Sequence, residues 1–194
     1  MGTTVVVRGE EWLATLPVHL QLFRAMGWKP PKYAHTAQLM KIDEVTGTKR
    51  KLSKRKDPEL ALTFYKQQGY PTQSVLEYLM TLLNSNYEEW RRANPEKPMN
   101  DFPFSTKKMS VSGALFGIDK LKDVSKNVIS RMTAQEVYDE IAAWSRENDP
   151  DFYSLFTRDP DYTQAIFGDW QRRQETEKGS GPLERRETLY GLYV

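Results

Sequence analysis

Lys49-Arg50-Lys51-Leu52-Ser53-Lys54-Arg55-Lys56-Asp57-Pro58-Glu59 puts six cations into its first eight positions and follows them at once with a helix-start signal. Crowding of like charge disfavours a regular element unless an anion neutralises it, so residues 49–56 read as a loop that meets something negative. Asp57 then stands as a helix cap with Pro58 at the first helical position, where its missing N–H leaves no bond unmade. The stretch divides the chain. Short extended pieces are expected before it and helices after it.

Toward the amino terminus, Thr4 to Val7 is a β-branched run that predicts a buried strand with Arg8, Gly9, Glu10 and Glu11 at its carboxyl end. Thr15 caps a predicted helix with Pro17 in its first turn; Leu16, Leu20, Phe23 and Met26 share one face, and Gly27 stops it. Lys29-Pro30-Pro31-Lys32 breaks the chain, and Tyr33 to Met40 is a second extended segment.

Toward the carboxyl terminus, Ala61, Phe64, Tyr65 and Gln68 share a face of the helix opened at Asp57, which Gly69 ends. Thr72 opens another, with Val75, Leu76, Leu79, Leu82 and Leu83 at helical spacing. Thr133-Ala134-Gln135-Glu136 is a capping box, followed by Val137, Ile141 and Trp144 on one face. Residues 91–110, rich in Pro, Asn, Lys and Asp, read as a connecting loop. From Gln171 helical periodicity fades into a tail with a Gly-Ser-Gly linker. The predicted fold class is mostly α with a small α/β part.

At 194 residues, 39% hydrophobic and 12% aromatic, the chain has the material for a core. Its net charge of +2 conceals an asymmetry: residues 1–40 hold 4 basic and 2 acidic residues, 41–56 hold 7 and 2, and 57–194 hold 17 and 22. Any polyanion argument is therefore local to the basic stretch. With no Cys and only His19 and His35, disulfide scaffolds, thiolate zinc sites, cysteine nucleophiles and histidine-rich metal sites are excluded. No apolar run approaches the roughly 18 to 20 residues that span a bilayer, and the amino-terminal sequence lacks signal-peptide features, so the expectation is a soluble intracellular protein with no membrane partner.

Two readings of Lys51-Leu52-Ser53-Lys54-Arg55 stand on the residues alone. One is a mobile clamp on a phosphate chain, with ammonium groups neutralising oxygens and backbone N–H groups adding donors. The other is a solvated basic loop or a nuclear-localisation-like run. Arg8-Gly9-Glu10-Glu11-Trp12 likewise offers either a guanidinium fork for a carboxylate beside acceptors and a flat ring, or a surface salt-bridge cluster with Trp12 in the core. Glu10 and Glu11 make a poor acid/base pair because sequence neighbours diverge. His35 is a ligand or a hydrogen-bonded core histidine, and His19 lies inside an amphipathic helix.

Taken in order, Val7-Arg8-Gly9-Glu10-Glu11-Trp12-Leu13, the Thr15 to Trp28 helix, His35 to Lys41, Lys51-Leu52-Ser53-Lys54-Arg55-Lys56 and Phe64-Tyr65-Lys66-Gln67-Gln68-Gly69-Tyr70-Pro71 resemble consecutive motifs of bacterial-type glutamyl-tRNA synthetases. The match runs from Val5 to about Leu83 and continues more faintly through Ser110 to Met132. The resemblance implies the second half of a class I Rossmann catalytic domain (residues 1–56, with a KMSKS-type loop), a helical stem-contact region (57–170) and a tail (171–194) that is flexible or foreign. It implies an ATP-dependent ligase of translation that activates glutamate and transfers it to tRNA(Glu), working in the cytoplasm with Mg2+ brought by ATP. Catalytic roles fall to Lys51, Ser53 and Lys54, glutamate binding to Arg8, and ATP contacts to Glu11, Trp12, Met40 and Lys54. The alternative is a non-enzymatic helical module whose loop 49–56 binds RNA or another partner.

The HIGH motif, the acceptor-binding insertion and the first Rossmann half are absent from the sequence, which implies a fragment inactive by itself. Two departures from the family pattern bear on the loop's closed geometry. Lys56-Asp57-Pro58 stands where the family often has Gly, and Asp43 to Thr48 lengthens the approach.

Overall fold

The computed structural model of the chain describes residues 2–176. The β-branched run forms β1 (Val5–Gly9), which pairs in parallel with β2 (Lys32–Thr36) so that Arg8 stands opposite His35. Between them lie a 3-10 stretch, Glu10–Thr15, and α1 (Leu16–Ala25). Because the 3-10 stretch feeds directly into α1, Thr15 is already helical (φ −89°, ψ −7°), and its hydroxyl donates back to the Trp12 carbonyl at 2.7 Å. The expected side-chain cap is not made. Gly27, at φ +68°, does end the helix, and Trp28 N–H reaches back to the Phe23 carbonyl.

β1 is not buried as expected, since Val5 and Val7 are 51% and 62% exposed. Among the described residues its sheet holds two strands, so β1 is an edge strand rather than one enclosed in a larger parallel sheet. The extended segment from Tyr33 to Met40 is also not continuous. It breaks at Ala37-Gln38, and β3 (Leu39–Ile42) enters a second sheet, antiparallel to β4 (Lys49–Lys51) and parallel to β5 (Ala114–Leu115). β4 therefore takes the first three residues of a stretch expected to be all loop. Its charge is tolerated because Arg50 meets the carboxylates of Asp43 and Asp57, and Lys49 Nζ donates to the carbonyls of Ser112 and Gly113.

After the loop, Pro58–Leu60 makes one 3-10 turn, Ala61 is extended (φ −97°, ψ 131°), and only then does α2 (Leu62–Gln67) begin. The single helix expected from Asp57 is thus interrupted, and the Asp57 carboxylate caps nothing because it is committed elsewhere. α3 (Thr72–Leu83) packs along α5 (Ile118–Ile129), with α4 (Tyr87–Ala93) following α3. The buried face of α3 carries Ser74, Val75, Glu77 and Tyr78, whereas Leu76 and Leu79 are 41% and 36% exposed. α6 (Ala134–Asn148) opens with the complete Thr133/Glu136 capping box; α7 (Pro150–Phe156) and α8 (Pro160–Thr176) pack on it. Residues 171–176 continue α8, and the rest of the expected tail lies outside the described residues.

Two cores result. One gathers Tyr65, Tyr70, Val75, Tyr78, Phe116 and Leu121 and takes in Leu52 from the basic loop; the other gathers Val137, Ile141, Phe156 and Phe167. Among the described residues no helix is long and apolar enough to cross a membrane.

Candidate functional site

The position of Arg8 follows from β1–β2 pairing. Its Nε donates to His35 Nε2 at 3.0 Å, its Nη1 contacts His19 Nδ1 at 2.8 Å, and the guanidinium lies 5.0 Å from the centre of the Tyr33 ring. Arginine carries donors only, so the imidazole nitrogens that face it act as acceptors. His35 is thus hydrogen-bonded inside the sheet, and His19, unremarkable in the sequence, becomes part of the site. The remaining nitrogen, Arg8 Nη2, is buried with no hydrogen-bond partner among the described residues. A buried orphan donor is costly, and an incoming carboxylate satisfies it with a charge-assisted bond.

Arg8 does not turn to its acidic neighbours. Glu10 Oε1 accepts from the Gln38 backbone N–H at 3.3 Å, while the Glu11 carboxylate folds back over Gly9 so closely that a Cβ there would collide with it. Trp12 is 52% exposed rather than in the core. Met40 lies in the central strand of the second sheet, its side chain against Gly113 and its carbonyl bonded to Phe116 N–H at 2.7 Å.

The basic loop is pinned at both ends. Leu52 is seated in the first core, 3% exposed, and its N–H bonds to the Leu39 carbonyl; Asp57 is 2% exposed. Between them the backbone arches tightly, with Lys56 N–H and Asp57 N–H both donating to the Ser53 carbonyl. Lys51, Lys54, Arg55 and Lys56 face solvent, as ammonium and guanidinium groups with their donors available to an anion.

A cleft of about 640 Å³ joins the two regions, its walls including Gly9, Glu11, Gln38, Lys51, Ser53 and Lys54. The residues read from the sequence as loop clamp and as strand-end acceptor therefore converge on one space. Arg8, Trp12 and Met40 lie outside its walls.

The sequence reading missed the residues that organise the loop. Arg50 donates to Asp57 through Nη1 (2.7 Å) and Nη2 (2.8 Å), and through Nε to Asp43 at 2.9 Å. Asp57 Oδ2 also accepts Ser53 N–H at 2.7 Å. The Arg50 bond, with Ser53 N–H adding to it, holds the Asp57 carboxyl well below the usual carboxylate range against the opposing effect of burial. Lys41 Nζ, 2.9 Å from Glu59 Oε1, is held above its ordinary value chiefly by that bond. The only sequence signal was an Asp seven residues after an Arg, which has no regular meaning in a loop.

Comparison with known proteins gives consistent results. Residues 1–123 match the profile of the family described as "tRNA synthetases class I (E and Q), catalytic domain". A glutamate–tRNA ligase of Acetivibrio thermocellus is 57% identical over 161 residues, covering 83% of this chain and 29% of that protein. One of Sorangium cellulosum is 43% identical over 202 residues, covering 98% of this chain and 34% of that protein. Among solved structures, a glutamate tRNA ligase of Elizabethkingia meningosepticum in complex with its amino acid is similar at 25% identity and TM-score 0.59, covering 75% of this chain and 31% of that one. The chain thus spans only about a third of the length of such relatives.

Proposed function

The chain belongs to the class I tRNA synthetase family of the glutamyl and glutaminyl type, and from that premise we propose that it forms the loop-bearing part of a glutamate–tRNA ligase active site. Residues 1–56 are in this reading the second half of the Rossmann catalytic domain, 57–170 the helical stem-contact region, and Lys51-Leu52-Ser53-Lys54-Arg55 the KMSKS-type loop. The observation that carries the reading is the shared cleft, in which Lys51, Ser53 and Lys54 meet Glu11 beside the strand that carries Arg8 with its Nη2 unsatisfied.

Activation joins a carboxylate oxygen of glutamate to the α-phosphorus of ATP. The bond to the bridging oxygen breaks, and pyrophosphate leaves with the electron pair. A hydroxyl at the end of tRNA(Glu) then attacks the acyl carbon and AMP departs. No protein nucleophile is needed, so the work is alignment and neutralisation of growing charge. Lys51, at the end of β4, and Lys54, on the arch fixed at both ends, meet the phosphates, and Arg8 Nη2 takes a carboxylate of glutamate. Glu11, Trp12 and Met40 contribute to the ATP side. Mg2+ would come with ATP and add positive charge at the phosphates beside Lys51 and Lys54, and the reaction takes place in the cytoplasm.

A chimera tests this: the matching region of the Acetivibrio thermocellus ligase is replaced by this chain. Glutamate-dependent pyrophosphate release and charging of tRNA(Glu) are expected. A folded chimera that binds RNA in a salt-dependent way but gives neither signal would favour the RNA-module alternative.

A further inference from the structure

Among the described residues Arg50 is the one of the six cations in 49–56 that is turned inward to carboxylates, and its partners come from two places that depart from the family pattern. Asp43 opens the lengthened turn, where its Oδ1 also accepts the N–H groups of Val45 and Thr46 at 3.1 and 3.0 Å. Asp57 stands just past the loop. The two departures are therefore one device, joined through a single guanidinium.

The device acts directly on the arch. Ser53 N–H donates to Asp57 Oδ2 at 2.7 Å, and Asp57 N–H donates to the Ser53 carbonyl at 2.8 Å, so the two residues close a ring around Lys54, Arg55 and Lys56. Bidentate bonding from Arg50 fixes the plane of the Asp57 carboxylate and so the direction of the oxygen that holds Ser53. Arg50 Nη1 also reaches the Lys51 carbonyl at 3.2 Å, which orients the residue before the buried Leu52. Lys41 Nζ lies 3.9 Å from Asp57 Oδ1 on the other side.

We propose that Arg50 and Asp57 form a latch that holds the residue 52–56 arch so that Lys51 and Lys54 face the cleft, which makes Arg50 and Asp57 positioning residues for phosphate neutralisation. The latch rests on the reading of the cleft given above, but its geometry can be tested without it. Neither residue touches the reacting groups. Arg50 acts through the Lys51 carbonyl and the Asp57 carboxylate, and Asp57 through the backbone of Ser53.

The first readout is limited trypsin digestion of the chain itself, with cleavage after Lys54, Arg55 and Lys56 followed by mass. Arg50→Ala and Asp57→Asn are expected to raise cleavage in the arch by about tenfold or more while leaving cleavage within α5 unchanged, because only a local opening is made easier. Arg50→Lys, which keeps the charge but not the fork, should fall between. Millimolar guanidinium should restore protection to Arg50→Ala and leave Asp57→Asn unprotected. The second readout uses the chimera, where Asp57→Asn should lower kcat by about tenfold or more with the glutamate KM within about twofold. Unchanged arch cleavage in both variants, or an equal rise at every site, overturns the latch. An inactive parent chimera overturns the functional reading instead, and the digestion still decides the latch.

Discussion

The hydroxyl of Tyr78 makes two bonds to one residue, donating to the Gly117 carbonyl at 3.0 Å and accepting the Gly117 N–H at 2.8 Å. Tyr78 is fully buried on α3, and Gly117 immediately precedes α5, so the pair ties the start of one packed helix to the flank of the other. Burial raises the phenol above its ordinary pKa, which keeps it a donor. Tyr78→Phe preserves the ring packing against Phe116 but leaves the Gly117 N–H without its acceptor and the Gly117 carbonyl with the Leu121 N–H alone. A loss of about 1–3 kcal/mol in urea unfolding, with unchanged denaturant slope, is expected. A variant as stable as the parent would mean that water takes over both bonds.

Asp57 gives a signed pH dependence. Its carboxyl titrates well below the usual range in the folded chain because Arg50 and Ser53 N–H bond its charged form. A lowered folded pKa contributes stability that is fully present above the unfolded value, about 4, and is lost as pH falls through the folded one. Urea midpoints of the parent and Asp57→Asn should therefore differ most near neutrality and converge as the pH is taken below about 4. Parallel curves across that window would show that the carboxylate's charge is not what holds the loop.

The parts of this fold that could be read from the sequence are those whose causes are local. The Thr133/Glu136 box and the stops at Gly27 and Gly69 lie within a few residues of their partners and appear as expected. α3 shows where such reading ends: Val75 and Tyr78 form one apolar face, Leu76 and Leu79 another, and only the arrival of α5 decides which is buried. The break between β2 and β3 depends on β5, more than 70 residues later. At the site, Lys51, Ser53, Lys54 and Glu11 line one cleft, but Asp57 carries the same signature as a helix cap and serves instead as the anchor of Arg50. Residue type does not distinguish those roles; the bonding geometry does.

Lys54 tests the clamp. The charge it would meet develops on the departing pyrophosphate, so its contribution is larger in the transition state than in the ground state. In the chimera, Lys54→Ala is expected to slow adenylate formation on the order of 10² to 10³-fold, the usual loss for one preorganised contact, while the glutamate KM changes little. A variant whose sole defect is a raised glutamate KM would assign Lys54 to the amino acid rather than to the phosphates.

Arg8 tests the proposed glutamate contact. Its guanidinium is held in place by His35, His19 and the Tyr33 ring, and the nitrogen left over is the one free to take a carboxylate. Lys offers a single ammonium on a flexible stem, so Arg8→Lys cannot bond both histidines and still present a directed donor. Separate dissociation constants for the chimera should show weakened glutamate binding with ATP affinity nearly unchanged. Because Arg8 is bonded to histidines and not to Glu10 or Glu11, a surface ion pair does not explain it, and that reading would have predicted a stability cost well under about 1 kcal/mol with little loss of activity. Equal losses for both ligands would mean that the β1–β2 edge as a whole has been disordered, and Arg8 would then be a structural residue of the sheet rather than a substrate contact.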